Sequence, residues 1–385
     1  MNDTVTAYAG TAVFDGAALH DGAVLLVAGE RFAGIASDIP PGARLVAVSG
    51  GILAPGFVDL QVNGGGGVMF NDDPSPATLA TIARAHARLG ATAILPTLIT
   101  DRPQATRAAI AAVREAVAAS MPGIAGLHLE GPHIALARKG AHDPALIRPM
   151  EAADLDRLCR AAAELPALMV TLAPESATPE QVGRLAAAGA VVSLGHSDAP
   201  YETCREYIRA GARCVTHLFN AMSQLGNRTP GLVGAALQAG EVSAGLIADG
   251  IHVHPASIAT ALAAKRGPGA VFLVTDAMAT AGSDLDHFTL NGRRIERREG
   301  RLTLADGTLA GADLEMAQAL RVLTGPVGLP PERALAMATA IPADLAGLQA
   351  GRIEPGRRAD FVHLDDGLRL RGVWRGGASL APSGG

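Results

Sequence analysis

Ionisable and metal-ligating side chains recur at the carboxyl ends of short apolar segments of this chain. Glu130 ends the segment IAGLHLE, His196 ends AVVSLGH, and Asp276 ends VFLVTD. His217 lies in CVTHL, and His252 follows SAGLIAD. Two imidazoles and a carboxylate form a familiar open zinc-type site, with one position left for a water molecule. Structural histidines scattered through a core would not choose the same end of each segment, so the joint pattern favours a catalytic metal site.

The apolar segments predict the strands of a parallel sheet. They are continuous rather than alternating, which is typical of strands buried on both faces. The eight segments are FVDLQV (57–62), ATAILPT (91–97), IAGLHLE (124–130), LMVTLA (168–173), AVVSLGH (190–196), CVTHL (214–218), SAGLIAD (243–249) and VFLVTD (271–276). The helical stretches between them include Pro76–Leu89, Gln104–Ala119, Asp154–Leu165, Pro179–Ala188 and Ala256–Arg266. This alternation predicts an α/β fold, a (β/α)8 TIM-type barrel whose strand ends carry the active site.

The two ends of the chain have a different pattern. Residues 1–53 and 356–385 contain short β-type runs with turns, and we predict that they form one small β-sandwich domain beside a barrel of residues 54–355. Residues 287–310 contain Asn291-Gly292, a strong hairpin turn signal, and predict a β-hairpin insertion. Four arginines on this insertion, at positions 293, 294, 297 and 298, are interpreted as a solvated face.

Composition limits the partners and the compartment. The net charge of −5 and the absence of a Lys/Arg run argue against nucleic acid or an anionic membrane as the main partner. The N-terminal run MNDTVTAYAG does not resemble a secretory signal, and no charge-free apolar segment is long enough to cross a bilayer. The three cysteines form no C-x-x-C pair. We therefore expect reduced thiols in a cytoplasmic protein.

Ordered motifs give a resemblance to a known family. The run GGILAPGFVDLQVNGGGG (50–67) is similar to the first-strand signature of the amidohydrolase superfamily, in which P-G-F-x-D leads into H-x-H. Gln61 and Asn63 hold the two histidine positions here. The motifs that follow in order are HLEGPH (128–133), KGAH (139–142), SLGHSDA (193–199), THLFNAM (216–222), DGIHV (249–253) and TDAMATAG (275–282). As a set they resemble the N-acetylglucosamine-6-phosphate deacetylases, from about Gly50 to Leu364.

The resemblance implies a role for each matching residue. Glu130, His196 and His217 would be the metal ligands. Asp276 would be the catalytic acid/base, and His252 would contact the acetyl carbonyl oxygen. The candidate substrate-binding residues, most of them at positions that match the family's sugar-phosphate site, are Gln61, Ala141, His142, Asn220, Ala221, Arg228, Asp249, Gly250, Ile251, His252, Leu309, Ala310 and Gly311. His133 and His254 receive no role.

The implied reaction is hydrolysis of the acetamide of N-acetyl-D-glucosamine 6-phosphate to D-glucosamine 6-phosphate and acetate, in amino-sugar catabolism or cell-wall recycling. Two alternatives stay open: an N-acetylgalactosamine-6-phosphate deacetylase, and a non-catalytic amidohydrolase-like binding or assembly protein. One divalent metal ion per chain is expected, since Gln61 and Asn63 are poor ligands for a transition metal, although a weakly held second ion there stays open. Zinc is the first candidate, with iron, cobalt and manganese as alternatives. In the family an arginine matching Arg228 reaches the neighbouring subunit's site, which implies a homodimer.

Overall fold

The computed structural model describes residues 4–380 of the chain. Residues 1–3 and 381–385, the outer ends of the expected β-sandwich domain, lie outside the described residues. The strands in chain order are β1 (Val5–Ala9), β2 (Ala12–Phe14), β3 (Leu19–His20), β4 (Val24–Ala28), β5 (Arg31–Ala36), β6 (Arg44–Ala47), β7 (Ile52–Pro55), β8 (Phe57–Val62), β9 (Gly64–Gly65), β10 (Val68–Met69), β11 (Ala91–Ile99), β12 (Leu127–Glu130), β13 (Leu168–Leu172), β14 (Val191–Leu194), β15 (Cys214–Val215), β16 (Ser243–Leu246), β17 (Val271–Leu273), β18 (His287–Leu290), β19 (Arg293–Arg298), β20 (Arg301–Thr303), β21 (Leu309–Ala312), β22 (Phe361–Leu364), β23 (Leu370–Arg375) and β24 (Ala378–Leu380).

The helices alternate with the central strands. They are α1 (Pro76–Arg88), α2 (Pro103–Ala118), α3 (Ala152–Glu164), α4 (Pro179–Ala187), α5 (Tyr201–Ala210), α6 (Gly231–Gln238), α7 (Pro255–Ala264), α8 (Met316–Thr324), α9 (Pro331–Ala338) and α10 (Ala340–Leu345). Local sequence explains where several of them begin and end. The Ser75 side chain accepts a hydrogen bond from the Thr78 amide at the start of α1, and Gly211 ends α5 with a φ of 130°. Within residues 4–380, no helix is both long and apolar enough to cross a membrane.

A parallel sheet of eight strands, β8 followed by β11 to β17 in chain order, forms a nearly closed barrel. The continuous apolar segments fill its core, and all six residues of β8 are buried. The predicted α/β barrel is therefore confirmed. In this arrangement the carboxyl ends of all eight strands open onto one face, so side chains at those ends can meet although they are far apart in the sequence.

The barrel closes where β8 meets the segment after β17. The Asp276 amide donates to the Gln61 carbonyl over 3.1 Å, and the Asn63 amide donates to the Ala277 carbonyl over 2.9 Å. The buried Asp59 side chain joins the same two segments, because it accepts hydrogen bonds from the Thr275 hydroxyl at 2.5 Å and the Gln61 amide at 3.2 Å. Burial raises the pKa of Asp59 to about 7. This seam brings Gln61, Asn63 and Asp276 side by side.

The chain ends form two further sheets, with strand orders β5-β4-β1-β6 and β24-β23-β22-β7-β2-β3. In the second sheet β7 pairs antiparallel with β22, which joins the two ends of the chain. Between the sheets lies a separate apolar core, in which Tyr8 contacts Phe361, and Phe361 stacks on Trp374 at 4.6 Å. The predicted β-sandwich of both chain ends is confirmed. The division into residues 1–53 plus 356–385 and residues 54–355 stays a prediction.

The segment after β17 forms a four-stranded antiparallel sheet, β18-β19-β20-β21, rather than one hairpin. We call it the insertion sheet. Asn291-Gly292 forms the first turn, with φ values of 51° and 74°, as its sequence indicates. Glu299-Gly300 takes the same left-handed conformation, with φ values of 50° and 73°, and forms a second turn. This turn and a third one at Leu304–Thr308, between β20 and β21, extend the expected hairpin of residues 287–310 to a sheet that ends at Ala312.

Candidate metal centre

Three donor atoms from separate barrel strands converge at the open end of the barrel. Glu130 is the last residue of β12, and His196 and His217 follow β14 and β15 by two residues. His196 Nε2 lies 3.2 Å from Glu130 Oε1, and His217 Nε2 lies 3.1 Å from the same oxygen. The two ring nitrogens are 3.0 Å apart. All three side chains are buried, so the close approach is shielded from solvent.

The protonation pattern of this cluster suits a divalent cation. The Nδ1–H of His196 donates to the Arg138 carbonyl over 2.8 Å, which leaves the lone pair of Nε2 in the neutral ring facing Glu130. Burial disfavours ionisation of Glu130, but the close contacts with the imidazoles of His196 and His217 outweigh burial and hold the pKa of Glu130 well below its usual range. Two imidazoles and an ionised carboxylate around one point are the donor set of a zinc-type site.

His142 lies next to the same cluster. Its ring centroid is 4.4 Å from that of His196, and Glu130, His142 and His196 have ligand atoms within 4.8 Å of one another. However, His142 Nδ1 is hydrogen-bonded to the Thr100 hydroxyl at 2.7 Å. We favour His217 over His142 as the third donor, because His217 Nε2 lies 3.1 Å from Glu130 Oε1 and 3.0 Å from His196 Nε2, whereas His142 already bonds to Thr100.

Asp276 faces the cluster from the barrel seam, held by two side-chain amides. Asn63 Nδ2 donates to Asp276 Oδ1 over 2.7 Å, and Gln61 Nε2 donates to it over 3.2 Å. Gln61 Nε2 also lies 3.1 Å from Glu130 Oε1, so one amide links the two carboxylates. Burial, together with the charge of Glu130, raises the pKa of Asp276 to about 6. A carboxylate with such a pKa is suited to proton transfer near neutral pH.

His252 is oriented by Asp249. The Nδ1–H of His252 donates to Asp249 Oδ2 over 2.6 Å, and the amides of Ile251 and His252 donate to Asp249 Oδ1. This arrangement fixes the ring and leaves Nε2 as the nitrogen that is free to contact another molecule.

A cavity of about 510 Å³ lies above these residues. The candidate substrate-binding residues that line it are Ala141, His142, Asn220, Ala221, His252, Leu309 and Gly311. Gln61, Asp249, Gly250, Ile251 and Ala310 are not among its lining residues. Gln61 and Asp249 instead support side chains that do line it, and Ala310 is fully buried in the core of the insertion sheet. The cavity has the size expected for a site that binds a small molecule.

Several lining residues were not predicted from the sequence. They are Ile99, Ala137, Arg138, Gly140, Ile247, Met278, Gly307 and Thr308. Arg138 acts on the cluster through its backbone carbonyl, which every residue type has, so no sequence signal marks it. Gly140 lies inside the KGAH motif, and Met278 lies inside TDAMATAG, so both could have been included on the basis of their motifs.

The two histidines without a predicted role have structural contacts. His133 is buried, and its Nδ1–H donates to the Arg148 carbonyl over 3.1 Å. His254 caps α7, because its Nδ1 accepts a hydrogen bond from the Ala256 amide over 3.1 Å. Neither residue lines the cavity.

Arg228 lies away from the cavity of its own chain. It is exposed and lines a separate groove of about 710 Å³, together with Tyr201, Leu225 and Arg266. Leu225 beside it is 54% exposed, so this groove presents an apolar side chain next to a guanidinium. The guanidinium is therefore placed to contact a molecule outside this chain.

Three of the converging residues have a left-handed backbone. The φ values are 48° at His196, 28° at His217 and 52° at Asp276. This conformation is uncommon for residues other than glycine and costs about 1–2 kcal/mol at each position. At each of the three positions the backbone turns sharply just after a barrel strand. The turn directs the side chain over the barrel instead of along the strand axis.

Comparison with known proteins gives a consistent result. Residues 52–379 match the model of the amidohydrolase family. The chain is 45% identical over 336 residues to the N-acetylgalactosamine-6-phosphate deacetylase of Shewanella sp. (strain ANA-3), covering 86% of this chain and 84% of that protein. It is 34% identical over 342 residues to the N-acetylglucosamine-6-phosphate deacetylase of Haemophilus influenzae, with 88% of each chain covered. The crystal structure of the N-acetylglucosamine-6-phosphate deacetylase from Pasteurella multocida superposes with a TM-score of 0.93 at 32% identity, covering 98% of this chain and all of that one.

Proposed function

The chain belongs to the amidohydrolase family, and we propose that it removes the acetyl group from an N-acetyl-hexosamine 6-phosphate. N-acetyl-D-glucosamine 6-phosphate is the first candidate substrate. N-acetyl-D-galactosamine 6-phosphate is the second, because the relative from Shewanella that shares 45% identity is named for it. The observation that carries the proposal is the meeting of Glu130, His196 and His217 beside Asp276 in a cavity of small-molecule size.

The reaction breaks the C–N bond of the acetamide and forms a new C–O bond from water. The hydroxyl of the water goes to the acetyl carbon, its hydrogen goes to the amine nitrogen, and the products are acetate and the amino sugar phosphate. We infer that Glu130, His196 and His217 hold one divalent cation per chain, with zinc as the first candidate. When bound, such a cation supplies a Lewis acid and lowers the pKa of a water molecule towards neutrality.

Asp276 is the proposed acid/base. Its carboxylate takes the proton that the attacking water loses, and the resulting carboxylic acid gives a proton to the departing amine. The amides of Asn63 and Gln61 hold Oδ1 of Asp276, so the carboxylate keeps its orientation through both transfers. These two residues are thus proposed as positioning residues.

His252 is proposed to bind the acetyl oxygen. With Nδ1–H donated to Asp249, the ring presents Nε2 to the cavity. A hydrogen on that nitrogen would donate to the acetyl oxygen as negative charge develops there. Such a hydrogen bond stabilises the transition state more than it stabilises the bound substrate. Asp249 offsets the positive charge that the ring then carries.

An assay for released acetate tests the proposed function directly. The purified chain, loaded with zinc, is expected to release acetate from both acetylated hexosamine 6-phosphates, and the ratio of the two kcat/KM values identifies the preferred epimer. N-acetylglucosamine 1-phosphate serves as the control substrate, because its phosphate is on the wrong carbon. A chain that binds zinc but releases no acetate from either 6-phosphate would support a non-catalytic binding protein instead.

We further infer a homodimer in which Arg228 of one protomer reaches the phosphate in the neighbouring site. The exposed position of Arg228 beside Leu225 supports this inference. A planar guanidinium that is always charged is well suited to phosphate. A cytoplasmic location is proposed as well, supported by the three free cysteines.

Replacement of Arg228 with alanine is expected to raise KM for the phosphorylated substrate by about tenfold, the effect of one lost hydrogen bond between charged groups. KM for the unphosphorylated sugar should change little, because the lost contact involves only the phosphate. Steady-state kinetics with both sugars provide the measurement. Arg266→Ala is the matched control, since Arg266 lines the same groove. Equal KM values in the two variants would remove Arg228 from phosphate binding.

A further inference from the structure

The insertion sheet covers one side of the cavity. Its core residues Phe288, Leu290, Ile295 and Leu302 are buried in one cluster with Ala141, Ile99 and Met278 of the barrel. Gly307, Thr308, Leu309 and Gly311 of the sheet line the cavity. The insertion sheet is therefore a wall of the proposed substrate site.

The arginines of β19 are divided between its two faces. Side chains alternate along a strand, so Arg293, Ile295 and Arg297 share one face, and Arg294 and Arg298 share the other. Ile295 is fully buried, Arg293 and Arg297 are half-buried, and Arg294 and Arg298 are exposed. The interpretation of all four as a solvated face is thus wrong for Arg293 and Arg297. Arg297 pairs with Asp313 at 2.8 Å, close to the end of the insertion sheet. Arg293 instead contacts a residue outside the insertion sheet.

Arg293 joins the insertion sheet to the segment of residues 139–142. Its guanidinium donates to the carbonyl of Ala141, a contact between residues 152 positions apart. The next residue, His142, donates its amide to the Lys139 carbonyl over 3.0 Å and lines the cavity. Arg293 thus links the insertion sheet directly to the backbone beside His142.

The other end of the insertion sheet is attached to Asp276. The amide of Ala312 donates to the Asp276 carbonyl over 3.0 Å. Gly311 has a φ of 66°, and an added Cβ there would approach the same carbonyl to 2.8 Å, so the sheet lies very close to the backbone of the proposed acid/base. One small sheet thus contacts both Asp276 and the segment that carries His142.

We propose that Arg293 is a positioning residue, which holds the His142 side of the cavity at a fixed distance from Asp276 through its bond to the Ala141 carbonyl. The inference depends on the proposed function, because that function makes His142 part of the substrate site. Arg293 does not line the cavity, so it acts on the substrate through the backbone of residues 139–142. Substrate binding should depend on Arg293, whereas cation binding should not, since His196 is held by the Arg138 carbonyl and Glu130 by Gln61, and neither contact involves Arg293.

Kinetics and hydrogen exchange of Arg293→Met, compared with Arg298→Met on the exposed face of the same strand, test this proposal. We expect Arg293→Met to raise KM for the acetylated hexosamine 6-phosphate by about tenfold and to change kcat by less than about twofold, because a displaced substrate wall weakens binding while the reacting groups stay in place. Cation content should equal that of the control. Arg293→Lys keeps the charge, so its KM should lie between the values of the wild type and of Arg293→Met.

Amide exchange gives a readout that needs no substrate. In Arg293→Met, exchange at residues 139–142 should accelerate by about tenfold, with other regions unchanged. Equal KM and equal exchange in Arg293→Met and Arg298→Met would overturn the proposal. Faster exchange throughout the insertion sheet, with a lower melting temperature, would also overturn it, because Arg293 would then only stabilise the fold. If the wild-type chain released no acetate, the proposed function would fail, and the exchange data would still decide the role of Arg293.

Discussion

Replacement of Asp276 with asparagine is expected to lower turnover by at least about two orders of magnitude, the usual contribution of a positioned acid/base, while the bound cation stays in place. Asparagine has almost the same size as aspartate, and its carbonyl oxygen can still accept the hydrogen bonds from Asn63 and Gln61. It cannot take up a proton at neutral pH. The variant therefore separates proton transfer from the geometry of the site.

Elemental analysis and steady-state kinetics of the same preparation measure the two quantities. Asp286→Asn is the matched control, because its carboxyl group is 85% exposed and lies in the loop that follows Asp276 in the chain. The control should keep both cation and turnover. Near-normal turnover in Asp276→Asn would remove this residue from the mechanism, and loss of the cation from Asp276→Asn would indicate a ligand instead of a base.

Removal of the cation is expected to have a similarly large effect. The purified chain should contain about one cation, as in catalytic sites with three protein ligands. Dialysis against a chelator should lower acetate release by at least about a hundredfold, because several kcal/mol of transition-state stabilisation are lost, and zinc should restore it. His217→Ala should reproduce the loss without a chelator, since it deletes a donor that lies 3.0 Å from His196 and 3.1 Å from Glu130.

His254→Ser is the control for the histidine variant. Serine keeps a cap for α7, and His254 is exposed and does not line the cavity, so cation content and turnover should match those of the wild type. Two cations per chain would instead favour a second site near Gln61 and Asn63. Full activity of a chain shown to be free of metal would contradict the proposed chemistry.

The barrel and the convergence of its strand ends could be predicted because both follow from local patterns. β8 has the bounds of its apolar segment, and Glu130 ends β12 as expected. Parallel strands place their carboxyl ends together whatever the loops do, so the meeting of Glu130, His196 and His217 required only the order of strands and helices.

Contacts between loops and the insertion sheet could not be predicted in the same way. The alternation of β19 divides its arginines into two sets, but it does not say which set faces the barrel. That depends on how the sheet packs on Ala141, which is distant from it in the sequence. The position of His142 beside His196 also depends on the path of the loop after β12 and on Thr100. Such contacts are tertiary, and no short window of sequence contains both partners.

The left-handed backbone at His196, His217 and Asp276 lowers the stability of the fold at three residues that the proposed reaction needs. Glycine and asparagine adopt this conformation more readily than histidine does, so substitutions to them at the two histidines would relieve a local cost and destroy the site. A screen of random variants for melting temperature alone would therefore enrich inactive proteins. A more stable enzyme engineered from this chain would have to keep these three residues. The added stability would have to come from substitutions at helix caps and surface loops.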